Sequence, residues 1–120
     1  MKEGQAVRVA VLGCGTRGWV HARSYAKLKE VQLVGVCDVE KEEADKLAAA
    51  CGTTAYERFE ELLDEVCPDV VSICLPTPLH CKYTVMAAEA GVHVICEKPV
   101  SSTAKEAEIM DVVCRSNQVR

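Results

Sequence analysis

A chain of 120 residues holds one hydrophobic core and leaves no room for two substantial domains. Apolar residues make up 49% of it and aromatics 4%, a mix rich in Val, Ala, Leu and Ile that suits buried parallel strands under helices and speaks against an aromatic-rich sandwich. The 14 basic and 18 acidic residues leave a net charge of −4, and the basic side chains are scattered rather than gathered in a stripe, which argues against nucleic acid as a partner.

Val7 to Leu12 is rich in β-branched residues and stops at glycine, the pattern of a strand running into a tight turn. A helix is expected from after Gly18 to about Leu28, and Val31 to Cys37 forms a second strand. A charged, alanine-rich helix over about Glu40 to Ala50 ends at Gly52, and Thr53 to Tyr56 gives a short third strand. Phe59, Leu62, Leu63 and Val66 fall on one helical face ahead of Pro68. Val70 to Leu75 is the fourth strand, a helix runs from about Leu79 to Ala90 before Gly91, and Val92 to Cys96 is the fifth strand. Thr103 and Glu106 have capping-box spacing, and Ala107, Met110 and Val113 give the last helix an apolar side. Strand and helix alternate throughout, with no repeat or long linker, so the expected fold is α/β: a Rossmann-type doubly wound parallel sheet in a single domain over residues 1–120. A TIM barrel needs about eight such units, and the chain is too short for that.

The eight cysteines are dispersed. Cys37, Cys74 and Cys96 sit in or beside apolar runs, and neither a Cys-x-x-Cys pair nor zinc-finger spacing occurs, so reduced thiols are expected and no metal site. Met1-Lys2-Glu3-Gly4-Gln5 lacks the apolar run of a signal peptide and no stretch approaches a membrane span, which points to a cytoplasmic protein without membrane partners.

Gly13-Cys14-Gly15-Thr16-Arg17-Gly18 matches G-x-G-x-x-G between the first strand and the first helix. In that position the first glycine permits the turn, the second lets a pyrophosphate approach the backbone, and the third lets helix pack on strand, while the helix N–H groups face the phosphates. A glycine-rich turn without a ligand is the plainer alternative. Asp38 follows the second strand, where a carboxylate accepts hydrogen bonds from the adenosine ribose and repels a 2′-phosphate. NAD is therefore expected over NADP, with Lys41 as a partial compensation for a phosphate; a helix N-cap is the structural alternative for Asp38.

The loops after the first, fourth and fifth strands emerge at one edge of such a sheet. Pro76-Thr77-Pro78-Leu79-His80 is stiffened by its prolines and can hold a backbone edge against the nicotinamide end of the cofactor. Glu97-Lys98-Pro99 puts charge directly after a buried strand, which is costly unless the side chains reach the cleft. Lys98 is the candidate for proton exchange with a substrate hydroxyl, against the plain reading of a surface lysine, and the Lys98–Pro99 bond can be cis.

Together these segments resemble the Gfo/Idh/MocA family, which includes glucose-fructose oxidoreductase and inositol dehydrogenases. The glycine loop, Asp38, the Pro76-Thr77 loop with His80, and the run from Gly91 to Pro99 fall in the family's order across the whole chain. The resemblance implies that Lys98 is the catalytic lysine, that Glu97 and Pro99 shape its loop, and that the loop after the fourth strand, Leu75 with Pro76, Thr77 and His80, contacts the cofactor. Thr77 stands where many members carry asparagine. Family members continue into a further sheet-rich domain that supplies substrate contacts, so the chain is expected to be the cofactor half of an enzyme, lacking its last strand and inactive alone.

His21 and His93 are read as structural, on a helix and in a strand, and His80 as structural or cofactor-adjacent. The expected parent activity is hydride transfer between the nicotinamide cofactor and a secondary alcohol of a sugar, inositol or related polyol, with homo-oligomerisation left open. The rival readings are a dinucleotide-sensing module without chemistry and a Rossmann-like domain for another adenosine ligand.

Overall fold

The computed structural model describes residues 5–120; residues 1–4, on which the expectation about a signal peptide in part falls, lie outside the described residues. Strands β1 (Val7–Leu12), β2 (Val31–Cys37), β3 (Ala55–Tyr56), β4 (Val70–Ile73) and β5 (His93–Cys96) form one parallel sheet in the order β3-β2-β1-β4-β5. Between them run α1 (Thr16–Ala26), α2 (Lys41–Cys51), α3 (Phe59–Val66) and α4 (His80–Glu89), and α5 (Ala104–Ser116) follows β5. This is the doubly wound sheet expected from the alternation, its order reversing between β1 and β4.

Side-chain parity along β1 assigns the two cores. Ala10 and Leu12 face α3 and α4, together with Phe59, Leu62, Val71, Ile73 and Ala87. Val11 faces the other way, onto Ala22 of α1 and Ala44, Leu47 and Ala48 of α2. In β2 the parity breaks, because Val9 pairs with Leu33 while Ala10 pairs with Gly35, so Val34 is a bulged residue. Leu33 and Val36 consequently face one core, and Val34 and Cys37 the other. Ser72, fully buried in β4, turns toward α1, where its hydroxyl bonds with Tyr25 Oη and the strand's one polar side chain is satisfied.

Several boundaries differ from the sequence expectation. The first helix begins at Thr16, before Gly18, because the extended backbone at Gly15 lets the helix start there and tertiary packing outweighs the glycine's poor propensity. β3 covers Ala55–Tyr56 where a strand from Thr53 was expected, since Thr53 turns its hydroxyl to the Leu33 carbonyl at 3.0 Å. β4 stops at Ile73, and a single 3-10 turn, Thr77–Leu79, precedes α4. The Thr103 hydroxyl accepts from the Glu106 N–H at 3.1 Å, the cap that the spacing implied.

All eight cysteines are free thiols, and no described helix is long and apolar enough to cross a membrane. Burial, reinforced by the Asp38 carboxylate, pushes the Cys14 and Cys37 thiols from the ordinary 9.0 up to about 12. Burial and then Glu97 do the same for Cys74. A raised thiol pKa leaves stability whole below the unfolded value and withdraws it as pH rises through the folded one. Urea midpoints are therefore expected to fall as pH climbs above about 9, less steeply in Cys37→Val, and at pH 8 a thiol reagent should modify exposed Cys67 well before Cys14 or Cys37.

A Cβ placed on Gly18 would lie 1.8 Å from the Gly13 carbonyl oxygen, so helix or loop must move to admit it. Gly18→Ala is expected to cost about 3 kcal/mol in urea denaturation, the upper range for overpacking against a site that cannot yield.

Candidate functional site

The site is built on the carboxyl edge of the sheet, from β1 outward. Gly13 leaves the strand at φ 100°, a conformation L side chains rarely adopt, and a Cβ there would meet the Cys74 carbonyl oxygen at 2.7 Å. Its N–H donates to the Cys37 carbonyl at 2.8 Å, and the Cys74 N–H donates to the Leu12 carbonyl at 2.7 Å, so the loop is stitched to both neighbouring strands. At Gly15 the situation is the reverse. A Cβ would meet nothing within 4 Å, so no protein contact requires glycine, and the space beside it is open. Gly15 is also the N-cap of α1 and offers no side-chain cap; the helical bonding begins with Trp19 N–H on the Gly15 carbonyl. The helix thus opens on exposed Thr16 and Arg17 with first-turn N–H groups aimed at the gap, the arrangement that receives an anion.

Asp38 stands beside this opening. Its Oδ2 accepts from the Cys14 N–H at 2.8 Å and its Oδ1 from the Glu40 N–H at 2.9 Å, which straps the glycine loop to the end of β2. A carboxylate has about four acceptor positions, so each oxygen retains capacity for a ligand hydroxyl. The N-cap alternative is overturned: Glu40 occupies the cap of α2, and no side chain caps it. Lys41 lies along α2 with its Nζ 3.2 Å from Asp45, engaged away from Asp38. A cavity of about 180 Å³ opens next to Asp38, lined by Leu12, Val39, Phe59, Leu75 and Leu79. Val39, exposed, has no counterpart in the sequence expectations because an apolar residue in a loop carries no periodic signal, whereas Leu79 lies in the Pro76–His80 segment named there.

The loop after β4 borders this cavity through Leu75 and Leu79, with Pro76 exposed and Thr77 half-buried at the start of the turn. His80 behaves differently from a cofactor contact. It is 1% exposed, with Nε2 2.7 Å from the Leu75 carbonyl and Nδ1 3.0 and 3.1 Å from the Pro99 and Val100 carbonyls. It is an internal brace between two loops.

After β5, the Glu97 N–H still donates to the Ile73 carbonyl at 3.1 Å, and the Lys98–Pro99 peptide is cis. Glu97 Oε1 accepts from Arg17 Nε at 3.1 Å, from Arg17 Nη2 at 2.9 Å and from His21 Nε2. The hydrogen bond from His21, followed by that from Arg17, holds the Glu97 carboxyl below the usual carboxylate range. Lys98 is exposed beside this cluster. His21 lies on α1, as expected of a helical structural residue, and is joined to the residue preceding the lysine. The available signal was spacing, since Arg17, His21 and Tyr25 lie four residues apart on one face of α1. His93 sits at the other end of β5, its Nδ1 accepting from the Arg120 N–H at 3.1 Å.

The Gfo/Idh/MocA model, described as an oxidoreductase family with an NAD-binding Rossmann fold, matches residues 7–120. The D-glucoside 3-dehydrogenase of Escherichia coli K12 is 41% identical over 106 residues, covering 87% of this chain and 30% of that protein. The crystal structure of myo-inositol 2-dehydrogenase from Lactobacillus plantarum aligns with a TM-score of 0.86 at 31% identity, over 94% of this chain and 34% of that one. The WlbA dehydrogenase from Bordetella pertussis, solved with NADH and UDP-GlcNAcA, aligns at 0.94 with 25% identity, over 100% of this chain and 35% of that one. The chain spans about a third of the length of these relatives.

Because Asp38 satisfies two backbone donors, Asp38→Ala is expected to lower stability by about 1–3 kcal/mol. Gly15→Ala, with open space around its new methyl, should change it by less than about 1 kcal/mol. Urea denaturation of the two variants separates the strap from the gap.

Proposed function

The chain belongs to the Gfo/Idh/MocA oxidoreductase family, with its NAD-binding Rossmann fold, and from that premise we propose that it is the cofactor-holding part of an enzyme that moves hydride between NAD and a secondary alcohol of a sugar, inositol or related polyol. The observation that carries this reading is the meeting, at one sheet edge, of an uncapped helix opening beside the empty flank of Gly15, the strapped Asp38 carboxylate and exposed Lys98. When bound, the nicotinamide cofactor supplies the hydride chemistry.

In this reading the N–H groups of Gly15, Thr16, Arg17 and Gly18 hold the pyrophosphate, whose charge the helix opening stabilises. Asp38 accepts from the ribose hydroxyls, and the cavity under Val39, Leu75 and Leu79 takes the adenine. The Pro76-Thr77 segment and the Glu97-Lys98-Pro99 loop border the nicotinamide end. Lys98 exchanges the proton of the substrate hydroxyl while hydride moves on the carbon, so charge does not build up on the alcohol oxygen. Asp38 would also repel a 2′-phosphate, and Lys41 is engaged by Asp45, which together support NAD over NADP.

A sixth strand beside β5 completes the sheet in this reading, and on that edge the Val94 N–H already donates to the Arg120 carbonyl at 2.7 Å. The chain matches 30% of the length of the D-glucoside 3-dehydrogenase; in this reading substrate-orienting surfaces lie outside it, and the chain by itself is expected to bind cofactor without turnover.

Calorimetric titration of the chain with NADH tests the proposal. Binding is expected, weakened at least tenfold in Asp38→Ala and tighter than binding of NADPH; a well-folded chain with no detectable binding would sink it. In a protein carrying the substrate-contacting domain, Lys98→Ala should lower kcat by about 10²–10⁴-fold. Full activity in that variant would remove the role given to Lys98, and cofactor binding without hydride transfer across a polyol panel would favour a sensing module.

A further inference from the structure

The segment that presents Lys98 is attached to the fold on both sides of that residue, each time by a histidine and each time from a different helical layer. On the side of α1, His21 Nε2 and the Arg17 guanidinium converge on one oxygen of Glu97, the residue immediately before the lysine. On the side of α4, His80 Nδ1 lies 3.0 Å from the carbonyl of Pro99, the residue immediately after it, and 3.1 Å from that of Val100. The two attachments differ in accessibility. The His21 side chain is 15% exposed and its Glu97 partner 21%, so this junction reaches solvent, whereas His80 is buried.

The attachment is not redundant with the sheet. The last ladder bond of this strand is the Glu97 N–H on the Ile73 carbonyl, and Lys98, Pro99 and Val100 beyond it are exposed. Pro99 contributes no N–H, so its carbonyl is its backbone hydrogen-bonding group, and it lies 3.0 Å from His80 Nδ1, which donates to it when that nitrogen carries the proton. The Glu97 carboxylate is likewise held by side-chain donors from α1, Arg17 and His21, on the helix whose uncapped first turn flanks Gly15. A flexible lysine on a freely moving loop would spend little time at a reacting atom, and displacement of a reactive group by about 1 Å can cost about a hundredfold in rate.

We propose that His21 and His80 are positioning residues that clamp the loop from both faces of the sheet and thereby set the location of Lys98. His21 acts through Glu97, and His80 through the carbonyls of Pro99 and Val100. The importance of the clamp for hydride transfer rests on the role of Lys98 proposed above; its hold on the loop does not.

The decisive experiment is NMR on the isotope-labelled chain, free and with NADH. In the native sequence the backbone amides of Glu97, Lys98 and Val100 should be as ordered as those of β5, and the Lys98 side chain should give cross-peaks to the nicotinamide protons in the complex. His21→Ala should raise the mobility of these amides and abolish the cross-peaks while leaving the glycine-loop signals in place. His21→Gln, whose side-chain amide donates where the imidazole does, should restore both. In an active protein with its substrate domain, His21→Ala should lower kcat about 10–100-fold with little change in KM for the cofactor, again with rescue by glutamine. An unchanged loop in folded His21→Ala, or failure of glutamine to rescue it, overturns the proposal. Should His80→Ala not fold, His80→Leu, which keeps the buried volume but has no donor, carries the test from the other face: greater mobility of the Val100 amide supports the clamp, and a loop as ordered as the native one would exclude His80. Absence of NADH binding by the native chain refutes the functional reading, while the order of the free loop still decides the clamp.

Discussion

The site rests on a close approach that exists because a side chain is missing. Gly18 lies so close to the Gly13 carbonyl that no Cβ fits between them, and α1 can therefore cross directly over the loop that leaves β1. That approach sets where the helix begins. It brings the first-turn N–H groups to the open flank of Gly15, and it sets the rotation of the helix, which turns Arg17, His21 and Tyr25 toward the end of β5 and the middle of β4. The uncapped helix opening beside Gly15 and the anchoring of the lysine loop are thus two consequences of one helix placement. Propensity alone opposes it, since glycine costs roughly 1 kcal/mol in a helix interior, and the packing of Val11, Ala22 and the α2 alanines offsets that cost.

Polar groups at the carboxyl edge are engaged in a pattern that distinguishes scaffold from site. Asp38, His80 and Ser72 are committed to internal partners and hold loops or layers together. Gly15, Thr16, Lys98 and the exposed flank of Val39 are left facing outward. Asp38 belongs to both groups, because its two backbone bonds leave acceptor capacity unused. The same edge carries Cys14, Cys37, Cys74 and Cys96, and the carboxylates of Asp38 and Glu97 add to burial in holding those thiols protonated. Their neutrality lets them pack as small apolar groups beneath the glycine loop and its neighbouring loops.

Local chemistry made most of the fold legible. The β-branched runs, the apolar face of Phe59, Leu62, Leu63 and Val66, and the Thr103 cap each signal their element within a few residues, and alternation of strand and helix admits few topologies. The bulge at Val34 was invisible because it arises from pairing with β1, and the early start of α1 because it arises from packing against Gly13. Likewise the glycine loop and Asp38 are readable as a motif, since the turn and the acceptor require those residue types, whereas the strap between them is a matter of distance.

By itself, then, the sequence determined the element order, the parallel sheet, the glycine loop and the charged loop at Lys98, since each is written in neighbouring residues and depends on backbone preference or hydrophobic periodicity. The tertiary structure decided the partners. His21 and Glu97 are 76 residues apart and His80 and Pro99 are 19 apart, and nothing local to either pair announces that they meet. Only the folding of two helices onto opposite faces of one sheet brings both histidines to the same loop, because a hydrogen bond depends on separation in space and the chain records separation in sequence.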